Sequence, residues 1–173
     1  QLYRGNRTHK ANADHFEAFV SANYPPLAEA GFHLKFNRRY CRKANEESLQ
    51  VHPKMNANIV VLKLFPGITK ATVQAILKQD KTEAVLLETF GSGNAPTSKW
   101  FLDEIEAAIN SGQLILNVSQ CMRGTVEMGR YETSKRLKDL GVISAYDMSF
   151  EATLTKLMFI LGYTNSKEKR IAL

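Results

Sequence analysis

The sequence predicts a three-layer α/β domain over residues 57–173, built on a parallel sheet of roughly four strands. Two observations carry this prediction. From Ile59 onward, short apolar runs alternate with segments of helical periodicity, which is typical of consecutive βαβ units. The runs are continuously apolar rather than alternating with polar residues, as expected where helices cover both faces of a sheet. The predicted arrangement is flavodoxin-like.

Strands and helices then follow one another in order. The first strand is rich in β-branched residues and closes at Pro66-Gly67, and Thr69 is a suitable N-cap for the first helix. The second helix has an apolar stripe and is followed by Gly112, where a C-cap glycine belongs. Gly141 ends the third helix, and Ser149 begins the fourth. The predicted strands are 59–65, 84–89, 114–118 and 142–144, and the predicted helices are 69–79, 98–111, 131–140 and 149–161.

The first 56 residues do not continue this alternation. Residues 1–36 predict a short strand, a helix around Asp14–Val20 and a turn at 23–26, with too little apolar surface for an independent core. We therefore expect them to be the tail of a larger N-terminal α/β domain and to pack on a part of the protein that is absent from this chain. Residues 37–56 are polar and charged, which is typical of an interdomain linker. Residues 57–173 are then the C-terminal domain.

The amino-acid composition argues against membrane and nucleic-acid partners for this chain. The chain has 173 residues, 44% of them hydrophobic, and a net charge of +6. No apolar run approaches the roughly 20 residues of a membrane-spanning helix, so no membrane partner is expected. Much of the positive charge lies in 35–43 and 167–170, without the interleaved aromatic residues of a nucleic-acid stacking surface. This favours a solvated basic loop and a basic helical tail, with no nucleic-acid partner. Cys41 and Cys121 have no pairing motif, which favours reduced thiols and a cytoplasmic setting.

Polar residues that follow the strands are the best candidates for chemistry, because open parallel sheets bind ligands beyond the carboxyl ends of their strands. In the loop Gly91-Ser92-Gly93-Asn94, glycine lets the backbone approach a ligand closely. Asn94 either lies nearest that ligand or caps its own turn. Cys121 could be a nucleophile, but all four histidines lie within the first 52 residues, so a small buried thiol is favoured. The histidines lack metal-ligand spacing, and no metal site is predicted.

Four segments, in their order and spacing, carry a resemblance to a known family. They are Arg4-Gly5-Asn6-Arg7-Thr8-His9-Lys10, Leu86-Leu87-Glu88-Thr89-Phe90-Gly91-Ser92-Gly93-Asn94-Ala95-Pro96, Asn117-Val118-Ser119-Gln120-Cys121, and Gly141-Val142-Ile143-Ser144 with Asp147-Met148. Over nearly its whole length the chain resembles the C-terminal half of a type I, cytoplasmic-type bacterial L-asparaginase. The resemblance implies hydrolysis of L-asparagine to L-aspartate and ammonia through a threonyl acyl-enzyme, without a cofactor. It also implies a homodimer or a dimer of dimers.

The same resemblance implies roles for particular residues. Lys10 matches the lysine of the family's catalytic Thr-Asp-Lys set, although the residues around it would by themselves suggest only a solvated turn. Asn94 and Tyr131 match positions at the substrate or at the neighbouring subunit's site. His9, Glu88 and Cys121 fall at positions of the effector pocket found in allosteric relatives. His9 replaces a threonine and Glu88 replaces an arginine, so this pocket is expected to be altered.

The catalytic threonines and the aspartate of the family have no match in this chain, so the chain alone is expected to be inactive. Two other functions stay open from the residues. One is a stand-alone flavodoxin-like binding or regulatory module without catalysis, and the other, ranked lower, is a basic nucleic-acid-binding domain. An upstream Thr-Gly-Gly-Thr-like strand start and a later Thr-Asp pair would favour the enzyme. A natural chain beginning at Gln1 would exclude it.

Overall fold

The computed structural model describes residues 1–44 and 46–172. Two short 3-10 helices, at Gly5–Arg7 and Arg38–Tyr40, lie in the first part of these residues. The strands and α-helices are β1 (His9–Lys10), β2 (Phe19–Val20), β3 (Ala28–Ala30), β4 (Leu34–Phe36), β5 (Ile59–Lys63), α1 (Lys70–Leu77), β6 (Ala84–Thr89), α2 (Lys99–Asn110), β7 (Leu114–Ser119), α3 (Glu132–Asp139), β8 (Ile143–Ser144), α4 (Phe150–Tyr163) and α5 (Lys167–Ala172).

The central sheet contains four parallel strands in the order β5-β6-β7-β8. Leu86 of β6 lies between Val61 of β5 and Leu116 of β7 in the register of the sheet. All four strands were predicted, and the bounds of β6 are those expected from the sequence. Because every strand runs in the same direction, their carboxyl ends meet at one edge of the sheet.

Helices cover both faces of this sheet. On one face α1, α2 and α3 pack against the strands and bury Phe101, Ile105 and Leu137. On the other face α4 buries Leu157 and Leu161 against the sheet. The two faces account for the continuously apolar strands, since both sides of each strand are covered. The predicted three-layer α/β fold is confirmed.

The predicted helix boundaries have the expected capping contacts. The Thr69 hydroxyl accepts a hydrogen bond of 3.2 Å from the backbone N–H of Thr72 and so caps α1. The Ser149 hydroxyl accepts an equivalent bond of 3.2 Å at the start of α4. Gly112, after α2, and Gly141, after α3, have φ values of +98° and +99°, the left-handed backbone that ends a helix.

The helix predicted around Asp14–Val20 is wrong. In its place Phe19 and Val20 form β2, which pairs antiparallel with His9 and Lys10 of β1. Phe16 is fully exposed, and Phe19 is about half exposed. A short helix gains most of its stability from burying an apolar face. These residues have no such face to bury, and hairpin hydrogen bonds satisfy the backbone instead.

The segment before β5 packs against helix α4 of the C-terminal domain. The backbone N–H of Asn56 donates to the Met158 carbonyl at 3.0 Å, and a Cβ on Gly162 would lie 2.4 Å from the Lys54 carbonyl oxygen. Only glycine at this point of α4 lets the chain cross so closely. The domain boundaries at residues 36 and 56 stay predictions. Among the described residues, no helix is long and apolar enough to cross a membrane.

The predicted basic helical tail is present as α5, but not all of its charge is solvated. Arg170 donates to the Glu83 carboxylate at 2.9 Å and to the Thr164 carbonyl at 2.6 Å. Desolvation by burial is the largest single influence and raises the pKa of Glu83. Hydrogen bonds from Asn56, Asn58 and Arg170 and the charge of Arg170 together outweigh it, so that the pKa is lowered. This carboxylate joins the start of β6, the approach to β5 and the tail helix.

Candidate functional site

A cavity of about 190 Å³ lies at the carboxyl edge of the sheet. The ends of β5, β6 and β7, the start of α4 and part of the N-terminal segment surround it. Its lining residues are His9, Asn23, Lys63, Glu88, Ser119, Gln120, Cys121, Met122, Gly124, Tyr146, Met148, Ser149 and Phe150. All three predicted effector-pocket positions are therefore brought to one cavity. We call it the sheet-edge cavity.

Glu88 and Lys63 supply opposite charges to this cavity. The Lys63 ammonium lies 3.5 Å from the Glu88 carboxylate, and the Glu88 side chain is only 12% exposed. The Gln120 amide donates to the carbonyls of Glu88 at 3.0 Å and of Leu64 at 2.7 Å, which holds the loop after β7 against the ends of β5 and β6. The Lys63 ammonium is thus already paired with the Glu88 carboxylate.

His9 contacts the first turn of α4. Its Nδ1 lies 2.5 Å from Oε1 of Glu151, and the two residues are 142 positions apart. Close by, the Arg7 guanidinium pairs with the Asp147 carboxylate at 2.8 Å. The Asn23 side chain also reaches across to this region, where its oxygen accepts from the backbone N–H of Gly124 at 2.9 Å. These contacts attach the N-terminal segment to the C-terminal domain beside the cavity.

The prediction of a buried Cys121 thiol is wrong. Cys121 is an exposed free cysteine on the loop that follows β7, and its backbone N–H donates to the Ser119 hydroxyl at 2.9 Å. A residue just past the end of a strand leaves the two covering layers, so its apolar character does not bury it. In the described part of the chain, no cluster of three or more His, Cys, Asp or Glu side chains could hold a metal ion.

The glycine loop after β6 is tied to the start of α3. The Asn94 side-chain oxygen accepts from the Thr133 hydroxyl at 2.7 Å, two residues beyond Tyr131. Gly93 has a φ of +110° and is approached by Asn117, whose amide donates to the Gly93 carbonyl at 3.2 Å. Tyr131 itself is half exposed. The Asn94 side chain therefore contacts helix α3, while its backbone pairs with Phe90 across its own turn.

Lys10 lies on the opposite face of β1 from His9, because neighbouring residues of a strand point to opposite sides. Its ammonium is 5.0 Å from the centre of the Phe19 ring. Within residues 1–44 and 46–172, no carboxylate forms an ion pair with it. The Lys10 side chain is exposed and accessible to groups outside this chain.

Comparison with known proteins assigns the family. Residues 58–172 match the family model described as the glutaminase/asparaginase C-terminal domain. The chain belongs to this family. The resemblance to asparaginases is thereby confirmed, and the sheet-edge cavity is lined by residues of a glutaminase/asparaginase C-terminal domain and of the segment before it.

Individual relatives agree with this assignment. The chain is 45% identical over 162 residues to L-asparaginase 1 of Escherichia coli, an alignment that covers 94% of this chain and 48% of that protein. It is 40% identical to the 60 kDa lysophospholipase of mouse, over 99% of this chain and 31% of that protein. The crystal structure of L-asparaginase I from Vibrio cholerae superposes with a TM-score of 0.90 at 39% identity, covering 98% of this chain and 51% of that one. The chain spans about half the length, or less, of these relatives.

Sequence reasoning missed two charged residues of the family's domain at this site. Lys63 ends β5, and the rule that parallel strands end at one edge would have placed it beside Glu88. No local signal pointed to Glu151, because its partner His9 lies in another part of the chain and the contact depends on how the N-terminal segment docks.

Proposed function

We propose that the protein containing this chain is an L-asparaginase that hydrolyses L-asparagine to L-aspartate and ammonia with a threonine nucleophile. The observation that carries the proposal is the superposition on L-asparaginase I of Vibrio cholerae over 98% of the chain, with a TM-score of 0.90. The chain would be its C-terminal portion, consisting of the tail of the catalytic domain, a linker and the C-terminal domain. The proposed reaction uses no cofactor, and we expect it in the cytoplasm.

Lys10 is the catalytic residue that this chain would contribute. An ammonium held beside a carboxylate and a threonine hydroxyl lowers the free energy needed to remove the hydroxyl proton. The exposed position of Lys10 at the end of a short hairpin supports this role, since its partners would have to come from outside the chain. Asn94 and Tyr131, joined through Thr133, would stand at the substrate or at the neighbouring subunit's site in a homodimer or a dimer of dimers.

The direct test is ammonia release by the full-length protein with L-asparagine and with L-glutamine. A lysophospholipid should be assayed in parallel, because the mouse relative is named for that activity. We expect turnover of asparagine by the full-length protein and none by the isolated 173-residue chain. Ammonia release by the isolated chain, or a full-length protein that acts only on the lysophospholipid, would contradict the proposal.

Substitution of Lys10 tests the assigned role. We expect K10M in the full-length protein to lower kcat by more than about 100-fold while the melting temperature changes little. K156M is the matched control, since Lys156 is an exposed lysine of α4 outside the proposed site. A K10M enzyme with nearly normal kcat would remove Lys10 from the catalytic set.

The sheet-edge cavity would be an altered effector pocket. A carboxylate effector needs a free cation, but Glu88 has the opposite charge and already engages Lys63 at 3.5 Å. Desolvating a carboxylate beside another costs more than the roughly 1–3 kcal/mol of a typical allosteric coupling. We therefore expect a hyperbolic dependence of initial rate on asparagine concentration. A Hill coefficient clearly above one that returns to one in E88Q would show that the pocket still binds an effector.

A further inference from the structure

We infer that the contact between His9 and Glu151 positions Lys10. A residue of the C-terminal domain then controls the geometry of the catalytic lysine through the neighbouring residue of strand β1. The inference rests on the catalytic role proposed for Lys10. His9 and Lys10 together make up β1, a strand of only two residues. Any side chain that fixes one of them also sets the place and direction of the other.

Strand β1 has few other attachments. Among the described residues, its backbone pairs with the equally short β2, in the register His9 to Val20 and Lys10 to Phe19. Within this chain, Phe19 is about half exposed. The 2.5 Å contact from His9 Nδ1 to Glu151 Oε1 joins this strand to the C-terminal domain.

Glu151 is attached to a rigid element. It lies in the first turn of α4, directly after the Ser149 N-cap, and α4 is packed on the sheet through Leu157 and Leu161. Its second carboxylate oxygen is buried and has no hydrogen-bond partner among the described residues. His9 instead contacts the other oxygen, Oε1, of this half-exposed carboxylate. Removing either side chain therefore removes this contact between β1 and the start of α4.

The consequence for Lys10 follows from geometry. Because side chains alternate along a strand, His9 points to α4 while Lys10 points away from it. Misplacing a catalytic group by about 1 Å can lower the rate by about 100-fold. The contact between Arg7 and Asp147 also joins the N-terminal segment to the C-terminal domain, but Arg7 lies two residues before His9 and outside β1.

The test compares both contacts in the full-length protein. We expect E151A and H9A each to lower kcat at least about tenfold with KM changed less than about twofold, as for a loss confined to the transition state. The double variant should lose no more than either single variant, because both remove one interaction. D147A, which breaks the neighbouring ion pair, should leave kcat nearly unchanged.

Conservative variants separate positioning from general damage to the fold. E151Q keeps an acceptor oxygen and H9N keeps a donor close to the place of Nδ1, so both should recover most of the lost kcat. Unchanged kcat in E151A and H9A, an equal loss in D147A, or no recovery in E151Q and H9N would each overturn the inference. If K10M itself keeps its kcat, the proposed function of Lys10 fails instead.

Discussion

The N-terminal segment and the C-terminal domain of this chain differ in how much of their apolar surface is buried. Residues 57–172 enclose two apolar clusters, one on each face of the sheet. In residues 1–36, Ala28 is the one described hydrophobic residue that counts as buried. Six large apolar side chains of that segment are exposed, namely Leu2, Phe16, Phe19, Phe32, Leu34 and Phe36. The C-terminal domain therefore has its own core, whereas the N-terminal segment shows apolar surface that a domain tail would bury elsewhere.

The two regions are therefore held in place by different kinds of interaction. The strands of the central sheet are held by pairing and by side chains buried on both faces. The N-terminal segment is held by two short hairpins and by polar contacts to the C-terminal domain, such as Arg7 with Asp147 and His9 with Glu151. Polar surface contacts contribute little to global stability compared with apolar burial, but they set position accurately.

A matched pair of phenylalanine truncations should show the greatest difference in the free energy of unfolding. F101A removes a fully buried ring of α2 and should lower the free energy of unfolding by about 3–5 kcal/mol. F32A, at the exposed tip between β3 and β4, should change it by less than about 0.5 kcal/mol in the 173-residue chain. Urea denaturation followed by circular dichroism measures both.

Measuring F32A in the full-length protein as well shows whether the rest of the protein covers the hairpin of β3 and β4. A larger loss of stability there than in the 173-residue chain is expected if the rest of the protein covers this hairpin. Equal losses for F101A and F32A in the 173-residue chain would mean that the N-terminal segment has a core of its own.

Glycine substitutions should give an intermediate effect. A Cβ on Gly93 would lie 2.9 Å from Val126 and 3.1 Å from Asn117, at a φ of +110°. Gly112 has a similar φ of +98° but open space, and Gly5 has open space without a positive φ. We expect G93A to destabilise most, G112A by about 1–2 kcal/mol from backbone strain alone, and G5A hardly at all. Thermal unfolding of the three variants decides the order, and a G93A no worse than G112A would show that the glycine loop yields easily.

The smallest expected effect is a pH-dependent one at Glu83. Its pKa is lowered in the folded protein, so its stabilising contribution is present above the unfolded pKa of about 4.3 and is lost as pH falls through the folded value. E83Q should therefore melt roughly 2 °C lower than the parent at pH 7, with the difference shrinking toward pH 3. E132Q removes a more exposed arginine pair of the same 2.9 Å length and is the control. A constant difference for E83Q across this pH range would contradict the assignment.

Much of the C-terminal domain could be predicted because its signals are local. Thr69 and Ser149 cap helices through neighbours three residues away, and the bounds of β6 follow from one apolar run. The candidate site was predicted in part. His9, Glu88 and Cys121 were expected at one pocket and do line one cavity. Their assigned roles stay predictions.

Other features could not be predicted because they depend on distant contacts. The hairpin that replaced the helix around Asp14–Val20 forms because no apolar surface is there to cover a helical face. The exposure of Cys121 depends on where β7 leaves the covering layers, which its own residue type does not report.

The alternation of strands and helices and their caps could be predicted from the amino-acid sequence, because periodicity and capping act between residues close in the chain. The family was indicated by the resemblance of four motifs in their order and spacing. The contact of Asn94 with Thr133 and that of His9 with Glu151, 142 positions apart, could be seen only in the folded molecule. The physical reason is that such contacts exist only after the core has set the distances between elements, and no local pattern encodes those distances.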